Sequence, residues 1–194
     1  MFNFLSNSAA FLVTATTNCV AAALGSGDAS TTPGAPHTPA ATARAGVLLG
    51  HAMVLALCLG AATSAVILLA PDFLLSMYGV AAGSELNAAS RSYLLVRTAS
   101  VPSIFLMFVA VGASLGAGNA LAPTKGILAA ALVNLVGDAA LVMHFGAGLA
   151  GAAAATAAAS WTGTMLVLSS LRRVIVPRFR CVGPRAPRSR MHAA

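Results

Sequence analysis

The stretch Gly126-Ile-Leu-Ala-Ala-Ala-Leu-Val-Asn-Leu-Val-Gly-Asp-Ala-Ala-Leu-Val-Met-His-Phe145 decides the reading of this chain. It is long enough to cross a hydrocarbon core, which takes about 20 apolar residues. Its only formal charge is Asp138, and an amide, Asn134, stands four residues earlier. Four residues make about one helical turn, so the two side chains share a face. An aspartate at mid-bilayer costs about 2.5–3.5 kcal/mol on insertion scales. It is tolerated mainly where it faces a bundle interior, takes up a proton or meets a cation. A carboxylate in this position is therefore a functional-site hypothesis.

Composition extends that reading to the whole chain. Charged residues make up 8% of its 194 residues and hydrophobic ones 58%, with a mean hydropathy of +0.87. A soluble domain carries about 25% charged residues. Long apolar stretches follow one another over 1–24, 45–70, 92–117, 126–145 and 148–171. The expected fold class is all-α: an integral, multi-pass bundle of about five spans. The first stretch lacks the basic start of a signal peptide. It is polar along its length (Asn3, Ser6, Asn7, Ser8, Thr14, Thr16, Thr17, Asn18), which suits a span facing a wet interior.

Basic residues set an orientation. Arg44, Lys125, Arg172, Arg173, Arg178, Arg180, Arg185, Arg188 and Arg190 fall on the side shared by the 25–44 loop, the 118–125 loop and the carboxy-terminal tail. Arg91 and Arg97 fall toward the other side. The positive-inside rule places the larger set in the cytoplasm or its organellar equivalent. The net charge of +7 comes mostly from the tail, residues 173–194. A basic, proline-containing tail directly after a span reads as an inside anchor or linker at lipid head groups, not as a nucleic-acid contact. The segment Gly25–Pro39 is rich in turn formers and reads as a flexible connection.

Several motifs carry no chemistry. Gly146-Ala-Gly148-Leu-Ala-Gly151 matches a dinucleotide fingerprint, but no Asp or Glu follows Asp138 to bind a ribose. Small residues there, and in Gly112-Ala-Ser-Leu-Gly116, read instead as places where helices approach closely. Cys19, Cys58 and Cys181 are widely spaced, and His37, His51, His144 and His192 lack ligand spacing. Neither a disulfide framework nor a metal clip follows. No nucleophile stands with a base and an acid in a pattern that suggests hydrolysis, so the chain reads as a non-enzyme without a cofactor.

What remains is a set of polar groups inside the spans. A reversal near Gly146–Gly148 makes the last two stretches antiparallel neighbours. Counting from Gly126 and from Gly148, Asp138 and Thr156 both come out near mid-depth at about 1.5 Å per residue. A carboxylate, an amide and a hydroxyl at one depth suit a proton or a hard cation such as sodium. A packing network of interhelical hydrogen bonds is the plainer reading of Asn134 and Thr156.

Four segments in this order give the chain a resemblance to the multidrug and toxic compound extrusion (MATE) family, in its DinF-like branch. They are Phe11-Leu-Val-Thr-Ala-Thr-Thr-Asn-Cys-Val-Ala21, Tyr93-Leu-Leu-Val-Arg97 with Val101-Pro102, Leu132-Val-Asn-Leu-Val-Gly-Asp138, and Gly148-Leu-Ala-Gly-Ala-Ala-Ala-Ala-Thr156. The resemblance implies that residues 1–172 are helices two to six of the family's amino-terminal lobe, and 173–194 a cytoplasmic tail or inter-lobe linker. It implies that Asp138, Asn134 and Thr156 line a proton- or sodium-binding cavity, with Asn18, Thr17 and Arg97 as substrate-cavity candidates. The implied activity is export of small organic, often cationic, solutes against an inward proton or sodium flow. The implied partners are the lipid bilayer and a second lobe or partner chain, in a plasma membrane or plastid envelope.

The chain departs from the family in lacking the first helix and its acid, and in the loop Gly116-Ala-Gly-Asn-Ala-Leu-Ala-Pro123, where Lys125 is the only nearby charge. A truncated, non-transporting polypeptide that acts through helix association is one alternative. A flippase of lipid-linked sugars, with Arg97 as its intramembrane cation, is another.

Overall fold

The computed structural model describes residues 10–25, 39–80 and 84–175. Every regular element among them is helical: α1 (Phe11–Gly25), α2 (Pro39–Leu69), α3 (Pro71–Met77), α4 (Glu85–Thr98), α5 (Val101–Gly116), α6 (Leu121–Asp138), a π-helical segment (Ala139–His144) and α7 (Gly148–Ile175). Three helices, Ala40–Leu69, Leu121–His144 and Gly148–Arg172, are long and apolar enough to cross a membrane, and a fourth span results when α4 and α5 act as one. The protein is an all-α, multi-pass integral membrane protein. Residues 1–9 of the first apolar stretch, most of the 25–44 connection and the tail beyond 175 lie outside the described residues.

The apolar pattern explains which helix sits at the centre. On α5, Val101, Phe105, Val109, Ala110 and Ala113 are buried, and so are Ser103 and Ser114. Helices α1, α2 and α7 all pack against it. Its contact with α1 is close because the seam is built on glycine. A Cβ on Gly112 would sit 2.6 Å from the Val13 carbonyl oxygen, and one on Gly116 would sit 2.7 Å from that of Thr17. Small residues that let backbones approach are the usual device of helix association in lipid, as the Gly112–Gly116 spacing predicts. By contrast α6 packs chiefly on α7 and leaves Ile127, Leu128, Leu132, Leu135 and Val136 exposed. In a bilayer that face meets acyl chains.

Helix α2 begins at Pro39, ahead of the expected 45–70 stretch, and two further elements differ from the sequence reading. The expected span 92–117 is not straight, since α4 and α5 meet at 44°. The cause is Pro102 in the first turn of α5, which donates no backbone hydrogen bond and whose ring crowds the carbonyl four residues earlier. The break is stitched on both sides. The Trp161 indole N–H donates to the Ala99 carbonyl (3.1 Å), the Ser103 hydroxyl donates to the Ser100 carbonyl (2.8 Å), and Thr164 Oγ1 lies 3.0 Å from the Ser103 carbonyl.

The second difference is the start of α6, which lies at Leu121 and not near Gly126. Gly118 turns the chain with φ +73, and the Asn119 side-chain oxygen accepts from the Ala122 N–H at 3.3 Å. Pro123 falls in the first helical turn, where a missing N–H costs nothing.

The basic residues of the described chain gather as expected. A cavity joins Gly46 and Gly50 of α2 to Leu168 and Arg172 of α7, and Gly126 of α6 packs on Val167. Arg44, Lys125 and Arg172 therefore stand at one end of the bundle. At the other end Arg91 faces Asp72 at 3.7 Å, with both side chains more than half exposed. A pair so exposed adds little stability.

Candidate ion site

The α6–α7 pair places the site. Gly146 and Gly148 have φ +62 and +56, a left-handed conformation that glycine adopts without penalty, and they reverse the chain. Antiparallel packing then sets Leu141 against Gly151, Gly137 against Ala155 and Ala130 against Gly163. A Cβ on Gly137 would lie 2.9 Å from Ala155 Cβ, so the two backbones are nearly in contact at that level.

Asp138 and Thr156 each follow a contact residue by one position. In antiparallel helices the rotation of about 100° per residue carries both side chains to the same side of the pair. The register thus brings Asp138, Asn134 and Thr156 to one side at one level. Both residues lie well inside their spans. Asp138 is six residues from His144 and Thr156 eight from Gly148, which is about 9 and 12 Å at 1.5 Å per residue.

Asn134 and Asp138 are joined directly. The Asn134 amide donates to Asp138 Oδ2 at 3.0 Å. The other two oxygens of the pair, Asp138 Oδ1 and Asn134 Oδ1, are buried and have no hydrogen-bond partner. Buried acceptors are ordinarily satisfied, and one left unpaired costs about 1–3 kcal/mol, more when charged. Asp138 also makes no ion pair among the described residues. The pair is therefore two acceptors short of a donor or a cation. No group of three or more His, Cys, Asp or Glu among the described residues is placed to hold a metal ion; the oxygen set here is one carboxylate and one amide, with a hydroxyl close by.

The remaining candidates are placed as follows. Thr156 Oγ1 donates to the Ala152 carbonyl of its own helix (2.9 Å), so it is near the pair but not bonded to it. Thr17 Oγ1 lies between the Val13 and Gly112 carbonyls, at 2.7 and 3.1 Å, within the α1–α5 seam. Asn18 is exposed on α1. Arg97 sits at the α4–α5 bend, where it donates to the Ser100 hydroxyl. None of these three is bonded to the Asp138 pair.

Two features escape sequence reasoning. Asp138 is the last α-helical residue before the π-helical segment Ala139–His144. Such segments are rare and often accompany functional sites, yet Ala-Ala-Leu-Val-Met-His carries no mark of one. Trp161, the lone Trp of an alanine-rich span, is the other. Its uniqueness was the available signal.

The fold and site define a multi-pass helical membrane protein with an unsatisfied carboxylate–amide pair between two spans. The chain is similar to Protein DETOXIFICATION 47, chloroplastic, of Arabidopsis thaliana, with 36% identity over 89 residues, which is 46% of this chain and 16% of that protein. It is also similar to Protein DETOXIFICATION 44, chloroplastic, of the same plant, with 28% identity over 124 residues, 64% of this chain and 24% of the relative. The matched segment thus spans less than a quarter of either relative. These similarities support the resemblance to the MATE family. No protein-family profile matches the chain, and no solved structure does.

Proposed function

We propose that this chain forms part of the amino-terminal lobe of a cation-coupled exporter, with Asp138 and Asn134 holding the coupling proton or sodium ion. The observation that carries the reading is the pair of buried, partnerless oxygens, Asp138 Oδ1 and Asn134 Oδ1. A proton on the carboxylate supplies a donor, and a hard cation between the two oxygens supplies a charge. Either one relieves the cost of leaving them bare. An ion that binds two arrangements of the helix pair unequally shifts the balance between them, by no more than its difference in affinity. The α-to-π junction at Asp138 gives the pair a place where helical winding changes.

The printed names of the two plant relatives, DETOXIFICATION and chloroplastic, fit an exporter in a plastid membrane; small organic solutes, cationic ones included, are the substrates this reading expects. A transporter lobe forms one wall of a cavity, so export requires a second lobe or a partner chain. DinF-like membership and the numbering of these helices as two to six of six belong to the same proposal.

The test is efflux of a cationic dye from cells producing this chain together with its second lobe or partner chain, with Asp138→Asn beside the wild type. The reading expects gradient-driven efflux that the substitution abolishes. Efflux unchanged in Asp138→Asn would refute the coupling site, and no efflux from the wild type would refute the exporter.

A further inference from the structure

We propose an anionic-phospholipid site between α2 and α7 at the basic end of the bundle, independent of the exporter reading. A cavity of about 220 Å³ opens there. Gly46, Leu49, Gly50 and Met53 line it from α2, and Leu168 and Arg172 from α7. It is smaller than the roughly 300–1,000 Å³ that holds a drug-sized ligand, which suits a narrow chain better than a whole compact molecule.

Shape and charge agree on the occupant. From Gly46 to Met53 the groove runs seven residues along α2, about 10 Å at 1.5 Å per residue. Arg172 is exposed at the end of α7, beside the polar boundary, and Leu168 lies one turn deeper. A cation at the rim with an apolar slot beneath it matches a phosphate head group with an acyl chain hanging from it.

Arg172 meets no carboxylate among the described residues. Asp72 is taken by Arg91 at the far end, Asp138 belongs to the α6–α7 pair, and Glu85 begins α4, beyond the far end of α2. The slot is open beside Gly50, where an added Cβ would meet nothing within 4 Å. Gly50 is therefore a vacancy along the groove and not a packing contact.

That openness supplies the test. The full chain in detergent is titrated with phosphatidylglycerol, phosphatidylcholine or inorganic phosphate, and retained lipid is read by native mass spectrometry. The wild type is expected to retain phosphatidylglycerol about fivefold better than phosphatidylcholine, the worth of one arginine near an anionic surface. Arg172→Gln should erase that preference. Gly50→Leu should reduce retention of both lipids by filling the slot. It also keeps the basic tail intact and removes a helix-weakening glycine, so it folds. Equal retention of the two lipids by the wild type, or wild-type retention in both variants, would overturn the site. So would displacement of the lipid by inorganic phosphate at equal concentration, which would make it a phosphate site only.

Discussion

One substitution made at two places gives opposite results if the helix seams are as described. At Gly112 an added Cβ would stand 2.6 Å from the Val13 carbonyl oxygen and 2.9 Å from Thr16 Cβ, where ordinary contact begins at 3.4 Å. Backbone cannot rotate out of the way, so α1 must withdraw by about 0.8 Å, the difference between 3.4 and 2.6. That shift stretches the 3.1 Å approach of Thr17 Oγ1 to the Gly112 carbonyl beyond hydrogen-bond range. Overpacking costs about 1–3 kcal/mol and the lost hydrogen bond about 1 more, against about 1 kcal/mol gained in helix propensity.

Gly112→Ala should therefore lose about 1–3 kcal/mol, and Gly50→Ala, with nothing to strike, should gain up to about 1 kcal/mol. At about 2–4 °C per kcal/mol for a chain of this size, Gly112→Ala lowers the midpoint by about 2–12 °C. Size-exclusion chromatography of heated, detergent-solubilised protein measures it. A Gly112→Ala protein as stable as Gly50→Ala would refute the close α1–α5 seam.

Three further outcomes follow from the same structure. Trp161→Phe leaves the Ala99 carbonyl at the bend without its donor, at a cost of about 1–3 kcal/mol; hydrogen exchange should quicken in residues 98–104 and not along α6. Pro102→Ala restores a backbone N–H and removes the ring, so the 44° bend relaxes. Spin labels at the start of α4 and the end of α5 should separate by about 3 Å at 1.5 Å per residue, and an unchanged distance would assign the bend to packing. Asn134→Leu strips the one donor that Asp138 accepts from and weakens coupled efflux at least tenfold, an expectation that dye-efflux rates check.

How much of this was legible in the chain depends on the kind of signal. Apolar length announces spans without any partner, so the α2, α6 and α7 spans could be read directly. The seam at Gly112/Gly116 was also legible, because small residues in an apolar run have few other uses; Gly146 and Gly148 were legible as a reversal, but not as a place of close approach, since a Cβ on either would meet nothing within 4 Å. The bend at Ala99–Ser100 was half visible. Pro102 marked it, but hydropathy runs unbroken across 92–117 and hides a change of direction. The early start of α6 was obscured by Gly116, Gly118 and Pro123, which look like loop formers although Pro123 falls where a helix tolerates it.

For the site, Asp138 and Asn134 were joined by their spacing alone, since one turn of one helix fixes their relation. Thr156 needed the antiparallel register, which the Gly146–Gly148 reversal supplied; its hydroxyl's choice of the Ala152 carbonyl could not be foreseen. Thr17 shows the opposite case. On a polar stripe it read as a cavity candidate, and only tertiary packing could show that its hydroxyl lies against the Gly112 carbonyl of α5.

The most direct test of the central claim is ion release on substrate addition. Protein purified from its own membrane is reconstituted in weakly buffered vesicles, a cationic dye is added, and released protons and sodium are both recorded. The account predicts release of one of the two ions from the wild type and of neither from Asp138→Asn. Equal release from both proteins would contradict it.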